Sequence, residues 1–258
     1  INQKVFLSVA AVLHLTPLAL ATSLFFFKLR LLDEVKDMES DMIHHPERPL
    51  PRGLLAESEV IQATFIIMAM EVSLFSFYGF SAFLSALIAV GYSLVMYREF
   101  FIKKWLRAHL TTYAVTHTFV VVFVSLTIFA ALFERQFTEI PGELVYFSFA
   151  GWFIFNIFEF VRKTLSKSEE KAGVDSYSKI FGKVGALLLV LAMAVLGTVF
   201  IGKATSSLTI KALLVLLIPV VVSGFLYAIF DRMHLAKIYR TLTALYIIFV
   251  YGAVVFFQ

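Results

Sequence analysis

Acidic residues recur at Asp33, Asp37 and Asp41, with Glu34 beside the first. At 3.6 residues per turn, positions four apart line one face of a helix. Carboxylates so placed repel one another, and a chain that keeps them at the end of an apolar run offsets the repulsion with cations. Hard divalent ions such as Mg²⁺ take oxygen ligands, carboxylates and substrate phosphates being their usual shell. The stretch therefore predicts a metal-diphosphate site at a membrane face, the bland alternative being a solvated helix cap. A basic turn follows, His45-Pro46-Glu47-Arg48-Pro49-Leu50-Pro51-Arg52-Gly53. Its prolines stiffen it and Gly53 lets it bend into the next helix. Arg48 and Arg52 suit paired hydrogen bonds to phosphate oxygens. They suit lipid phosphate equally well.

A second polar group lies at Asn156, Glu159, Arg162 and Lys163, three or four residues apart and so on one helical face. Polar groups in the last turn of a membrane helix tend to face a cavity or another helix. Arg162 and Lys163 match an anionic diphosphate, or else an ordinary positive helix end favoured by the helix dipole. A third loop, Tyr97 to Arg107, carries Trp105 among basic residues and reads as an interfacial anchor, with Glu99 and Arg107 as outlying phosphate-pocket candidates. Inside the apolar runs sit His117, Glu71 and His14. His117 lies about six residues, roughly 9 Å, from the basic end of its helix, a depth that suits an acceptor or carbocation pocket. Glu71 lies roughly 17 Å in. All three read equally as hydrogen-bonded packing residues.

These groups must be positioned by membrane helices. Of 258 residues, 60% are hydrophobic and 29 are phenylalanine, well above the roughly 45–50% apolar content of soluble domains. Eight apolar runs near 20 residues long predict an all-α, polytopic membrane bundle, with helices at about 4–27, 60–78, 81–97, 111–132, 144–160, 184–202, 208–230 and 239–257. No soluble domain fits between them, so residues 1–258 read as a single transmembrane domain. Loops 28–58, 98–110, 161–183 and 231–240 carry 18 of the 22 Lys and Arg residues. Alternating spans put all four loops on one side, which the positive-inside rule makes cytoplasmic. The chain begins at Ile1 and not Met, from which further residues upstream are expected. With no cysteine, disulfides and thiolate metal sites are excluded. There is no phosphate-loop or His-Glu-x-x-His motif, and basic loops facing a membrane exclude nucleic acid as a partner.

With these motifs the chain resembles the UbiA superfamily of intramembrane prenyltransferases. The family's first signature, Asn-Asp-x-x-Asp-x-x-x-Asp, is similar to Asp33-Glu34-x-x-Asp37-x-x-x-Asp41, and its Arg-Pro-(Leu/Ile)-Pro-x-Gly turn to Arg48-Pro49-Leu50-Pro51-Arg52-Gly53. In the second signature, Asp-x-x-x-Asp before a Gly and a Ser/Thr, Glu169 aligns with the last Asp, Leu165 with the first, and Gly173, Ser176 and Gly182 follow. The resemblance implies a bundle around a central cavity open to the cytoplasmic side, with a ninth helix preceding Ile1. It implies a polyprenyl diphosphate donor bound through Mg²⁺ and transfer of the prenyl group to an aromatic or lipophilic acceptor. The metal ligands it implies are Asp33, Glu34, Asp37, Asp41 and Glu169. Asp33, Asp37, Asp41 and Glu159 are its catalytic candidates, and Arg48, Arg52, Asn156, Arg162, Lys163, Tyr177 and His117 its substrate contacts. A cyclase of the same fold and a non-catalytic isoprenoid-lipid binding or transport protein are the rival readings.

Overall fold

The computed structural model describes residues 9–171 and 173–256, side chains from residue 11 onward. The N-terminal end of the first expected span, residues 4–8, and residue 257 of the last lie outside them. Ten α-helices account for the architecture: α1 (Val9–His44), α2 (Glu57–Ser76), α3 (Phe80–Tyr97), α4 (Lys103–Arg107), α5 (Leu110–Thr118), α6 (Val120–Phe133), α7 (Gly142–Arg162), α8 (Tyr177–Gly202), α9 (Ser207–Phe230) and α10 (Met233–Phe256). No strand occurs among the described residues. Among the described residues eight spans are long and apolar enough to cross a membrane, α5 and α6 together forming one from Leu110 to Phe133. In hydrocarbon a backbone amide has no water to bond, so helices that satisfy their own N–H and C=O groups are what such runs form.

The chain divides into two compact units, residues 1–103 with 123–140, and residues 104–122 with 141–258. In the first unit α1 packs on α2, and α3 packs on both. The interface is built from small side chains on α3, with Ala82, Ser85, Ala86 and Ala89 all buried. They recur three or four apart and let backbones approach, the usual source of helix association in lipid. Leu18, Ala21 and Phe75 meet this stripe from α1 and α2. Only Phe77, Tyr78 and Gly79 separate α2 from α3, which makes the two helices the tight pair expected.

In the second unit α7 packs on α8, α8 on α9, α9 on α10, and α10 and α5 on α7. The core runs through Ile154, Ile157, Phe160, Leu187, Val190, Leu213, Tyr227 and Tyr239. Gly224 sits where α9 is crowded: a Cβ there would run into Leu187 Cδ1 and lie 3.1 Å from Tyr239 Cε2. Gly224→Ala is therefore expected to destabilise this unit by about 1–3 kcal/mol through overpacking. A thermal-shift assay in detergent checks it, and an unchanged melting temperature would count against the packing described.

Three element boundaries differ from the sequence expectation. α1 continues unbroken from the apolar run through the acidic stretch to His44. α8 begins at Tyr177 and not near 184, capped by the Ser176 hydroxyl, which accepts from Lys179 N. Gly182, with φ +71° and ψ 169°, kinks it one turn later, in a region of backbone space that essentially only glycine occupies. α10 begins at Met233, so Arg240 lies within a helix and not in a loop.

Candidate functional site

The carboxylates of the first unit stand on α1, where their helical angles place Asp33, Asp37, Asp41 and Glu34 within about 100° of one another. Their charge is met by nearby bases. Lys36 Nζ donates to Asp33 Oδ1 at 2.8 Å. Arg30 pairs with Glu34. Arg48 Nη1 donates to Asp41 Oδ2 at 2.5 Å, with the Asp41 side chain only 6% exposed. That hydrogen bond holds Arg48 above the ordinary arginine range, helped by the charges of Asp41, Glu34 and Asp37.

The basic turn is fixed by its own backbone. Arg52 N bonds to Arg48 O at 3.0 Å, Gly53 N to Leu50 O at 2.9 Å and Leu54 N to Pro49 O at 3.0 Å. Gly53 has φ +70°, which the bend requires. Leu50 plugs into a cluster with Val35 and Val60 and is 4% exposed. Burying a leucine stabilises by roughly 1.5–3 kcal/mol, enough to hold Arg48 at the acidic face. The Arg52 side chain is exposed.

On the opposite side of α1 a polar cavity of about 370 Å³ is lined by Lys36, Glu39, Glu57, Arg98, Glu99 and Lys103 with Val35, Met38 and Tyr97. The chain reaches it through an unusual turn. Glu99, Phe100 and Phe101 have φ of 51°, 53° and 60°, each a left-handed conformation costing about 1–2 kcal/mol for a non-glycine residue. Glu99 is 2% exposed there. Of the two outlying candidates, Glu99 thus borders a cavity in the first unit, and Arg107 ends α4 in the second.

In the second unit, α7 ends in a charge cluster. Glu159 accepts from Arg162 Nε at 2.6 Å and from Lys163 Nζ at 3.2 Å. The three residues are brought together as their spacing predicts. Asn156 is not left open to a ligand: it is fully buried, its Oδ1 accepting from Thr118 Oγ1 at 3.0 Å and its Nδ2 donating to Trp152 O at 2.9 Å. Its polarity is taken up in packing α7 against α5. His117 Nδ1 bonds to Tyr113 O at 2.8 Å and its ring stacks on Tyr113 at 3.9 Å. Tyr177 is fully buried against the edge of Phe160, and its buried hydroxyl has no hydrogen-bond partner among the described residues.

The loop after α7 is tied down by groups far away in sequence. Arg240 Nη2 donates to Glu169 Oε1 at 2.5 Å, and Nη1 to Glu169 Oε2 at 3.1 Å and to Thr164 O at 2.9 Å. Ser166 adds its N–H at 3.0 Å and its hydroxyl at 2.8 Å to Glu169 Oε2. Tyr227 Oη donates to Leu165 O at 2.7 Å, and Leu165 N donates to Ser178 Oγ at 2.9 Å. Partial burial works against ionisation of Glu169, but the Arg240 and Ser166 hydrogen bonds outweigh it and hold the carboxyl at about 2, against an ordinary 4.5. A depressed carboxyl contributes stability that is complete above its unfolded value and lost as pH falls toward the folded one. Protection of residues 163–171 in amide exchange, corrected for intrinsic rates, is expected to stay flat from pH 8 to 5 and to fall between about 4.5 and 2. Loss already between pH 7 and 6 would refute the assignment.

Arg240 and the buried base Lys28 are what sequence reading missed. Lys28, counted as a loop residue, is fully buried within α1 and its Nζ donates to Glu71 Oε1 of α2 at 2.5 Å. Arg240 carries a signal in retrospect: it is the last charge before sixteen uncharged residues, 241–256, and an arginine inside a membrane helix normally has a buried partner.

Magnesium's preference for oxygen donors fits the chemistry of the α1 carboxylates. No group of three His, Asp or Glu side chains is clustered to hold a metal ion among the described residues. In the α1 stretch Asp33, Glu34 and Asp41 are each bonded to a base, so a metal there would have to exchange with Lys36, Arg30 or Arg48. The loop after α7 does not fit a metal, since Leu165 is apolar and both oxygens of Glu169 are already bonded, to Arg240 and Ser166. Comparison with known families matches the UbiA prenyltransferase family over residues 5–255, a stretch that covers both units. Comparisons with curated proteins and with solved structures give no match.

Proposed function

Since the chain belongs to the UbiA prenyltransferase family and is an integral, multi-pass membrane protein, we propose that it transfers a prenyl group from a polyprenyl diphosphate to an aromatic or lipophilic acceptor. The observation that carries this reading is the α1 face: four carboxylates at the end of a membrane span, with Arg48 fixed against Asp41 by the turn that follows. Residues 1–258 act as one catalytic domain, and the loops bearing these groups lie on the cytoplasmic side.

Asp33, Glu34, Asp37 and Asp41 would hold magnesium, which supplies positive charge toward a departing diphosphate. Arg48 and Arg52 would add hydrogen bonds to its oxygens. In the second unit, Arg162 and Lys163 are by themselves a basic pair suited to a diphosphate. Lys36, Arg30 and Arg48 keep the carboxylates neutralised before the donor arrives, which prevents mutual repulsion along the helix. Aromatic faces favour an allylic cation through their quadrupole, and apolar walls limit its capture by water. His117, its ring stacked on Tyr113, is a candidate contact for the acceptor.

Purified protein in detergent, offered geranyl, farnesyl and geranylgeranyl diphosphates with and without Mg²⁺ and an acceptor pool, tests this directly. Mg²⁺-dependent diphosphate release that also requires acceptor is the expected result. Release without acceptor would replace transfer by cyclisation. Binding of every donor with no release would make the chain a lipid-binding protein.

A further inference from the structure

The loop after α7 departs from a metal-binding pattern in two ways at once. Four residues before Glu169 stands Leu165, which offers no ligand atom. Glu169 itself is already engaged at both oxygens. Four donors reach it: Arg240 Nη1 and the Ser166 N–H and hydroxyl at Oε2, and Arg240 Nη2 at Oε1. Ser166 is fully buried, and the Glu169 side chain is only 15% exposed. Charge balances as well. Two carboxylates around a divalent ion sum to zero, and so does one carboxylate with one guanidinium. With an apolar residue at position 165, the single positive charge at position 240 thus balances the one carboxylate that remains.

Arg240 does more than neutralise. Its bond to Thr164 O fixes the carbonyl of the residue that directly follows Lys163, and Tyr177 N holds Lys163 O at 3.0 Å. The stretch bearing Arg162 and Lys163 is therefore clamped at its C-terminal end by a residue of the last helix.

We propose that the loop after α7 holds no metal ion and that Arg240 is its built-in cation, a positioning residue that orders residues 164–169 and thereby sets Arg162 and Lys163 for an anionic diphosphate. The diphosphate part of this inference rests on the function proposed above; the metal-free clasp does not.

The test uses the full chain in detergent with Mn²⁺ as the spin-active substitute for Mg²⁺ and inorganic pyrophosphate as the probe. Bound Mn²⁺ is counted by electron paramagnetic resonance, and order in residues 163–171 is followed by amide exchange. Glu169→Gln is expected to leave Mn²⁺ number and affinity within about twofold of the wild type. Arg240→Ala is expected to raise exchange in the loop at least tenfold, equally with and without Mn²⁺, and Arg240→Lys to restore part of the protection. Leu165→Asp combined with Arg240→Gln is expected to gain one Mn²⁺ per chain, a change that a merely structural arginine would not produce. Loss of an ion or tenfold weakening in Glu169→Gln overturns the proposal. So does protection of the wild-type loop by Mn²⁺, or a folded double variant that gains no ion. Asp37→Asn separates the two readings: unchanged Mn²⁺ binding there counts against the α1 metal site and leaves the clasp to be decided by exchange.

Discussion

Asp37→Ala is expected to lower diphosphate release by at least about a thousandfold, some 4 kcal/mol of transition-state stabilisation, with no loss of folded protein. Asp37 occupies the centre of the acidic face, one turn from Asp33 and one turn from Asp41, and its charge acts on Arg48. The side chain is partly exposed, so its removal leaves no apolar cavity and no stranded buried charge. Glu39→Ala is the matched control. It removes a carboxylate from the same helix about 200° away from Asp37, and activity is expected to stay within threefold. Steady-state release of diphosphate, with size-exclusion profiles of both variants, checks this. Wild-type turnover in Asp37→Ala would sink the site assignment.

The second large effect concerns stability. Lys28 and Glu71 are both fully buried, with Lys28 Nζ also 3.9 Å from the centre of the Phe25 ring. Removing one partner strands the other charge in apolar surroundings, which costs about 3–5 kcal/mol. For Glu71→Ala or Lys28→Met this corresponds to a fall in melting temperature of roughly 6–20 °C. Replacing both, Lys28→Met with Glu71→Met, is expected to recover most of the loss, because apolar residues of similar volume commonly match a buried ion pair. Thermal unfolding in detergent reads all three variants. Single variants that melt at the wild-type temperature would refute the pairing.

The spans and the acidic face were legible because each depends on local sequence. An apolar run of about 20 residues has few other solutions, and four-residue spacing speaks directly about one face of a helix. The UbiA-like motifs were legible for the same reason. What stayed hidden was pairing between distant residues. Lys28 ends an apolar run, and a charge at such a place reads as a boundary; only Glu71, 43 residues on, explains why it is buried. Arg240 joined the positive loops on charge alone, yet its partner Glu169 lies 71 residues earlier. Asn156 had the right spacing for a site and the wrong surroundings, since Thr118 and Trp152 consume its polarity. The early start of α8 was masked by Lys179 and Lys183, whose charges made a first helical turn look like loop.

The clasp also sets an order of events during synthesis. The loop that carries Glu169 leaves the ribosome well before Arg240 exists. At about 5–20 residues per second, the 71 intervening residues take roughly 4–14 seconds to make. During that interval α8 and α9 are made, while Glu169 has only Ser166 to hold it. The loop therefore locks last, when α10 arrives, and a nascent chain that stops before residue 240 carries every residue of the loop without the fastener that closes it.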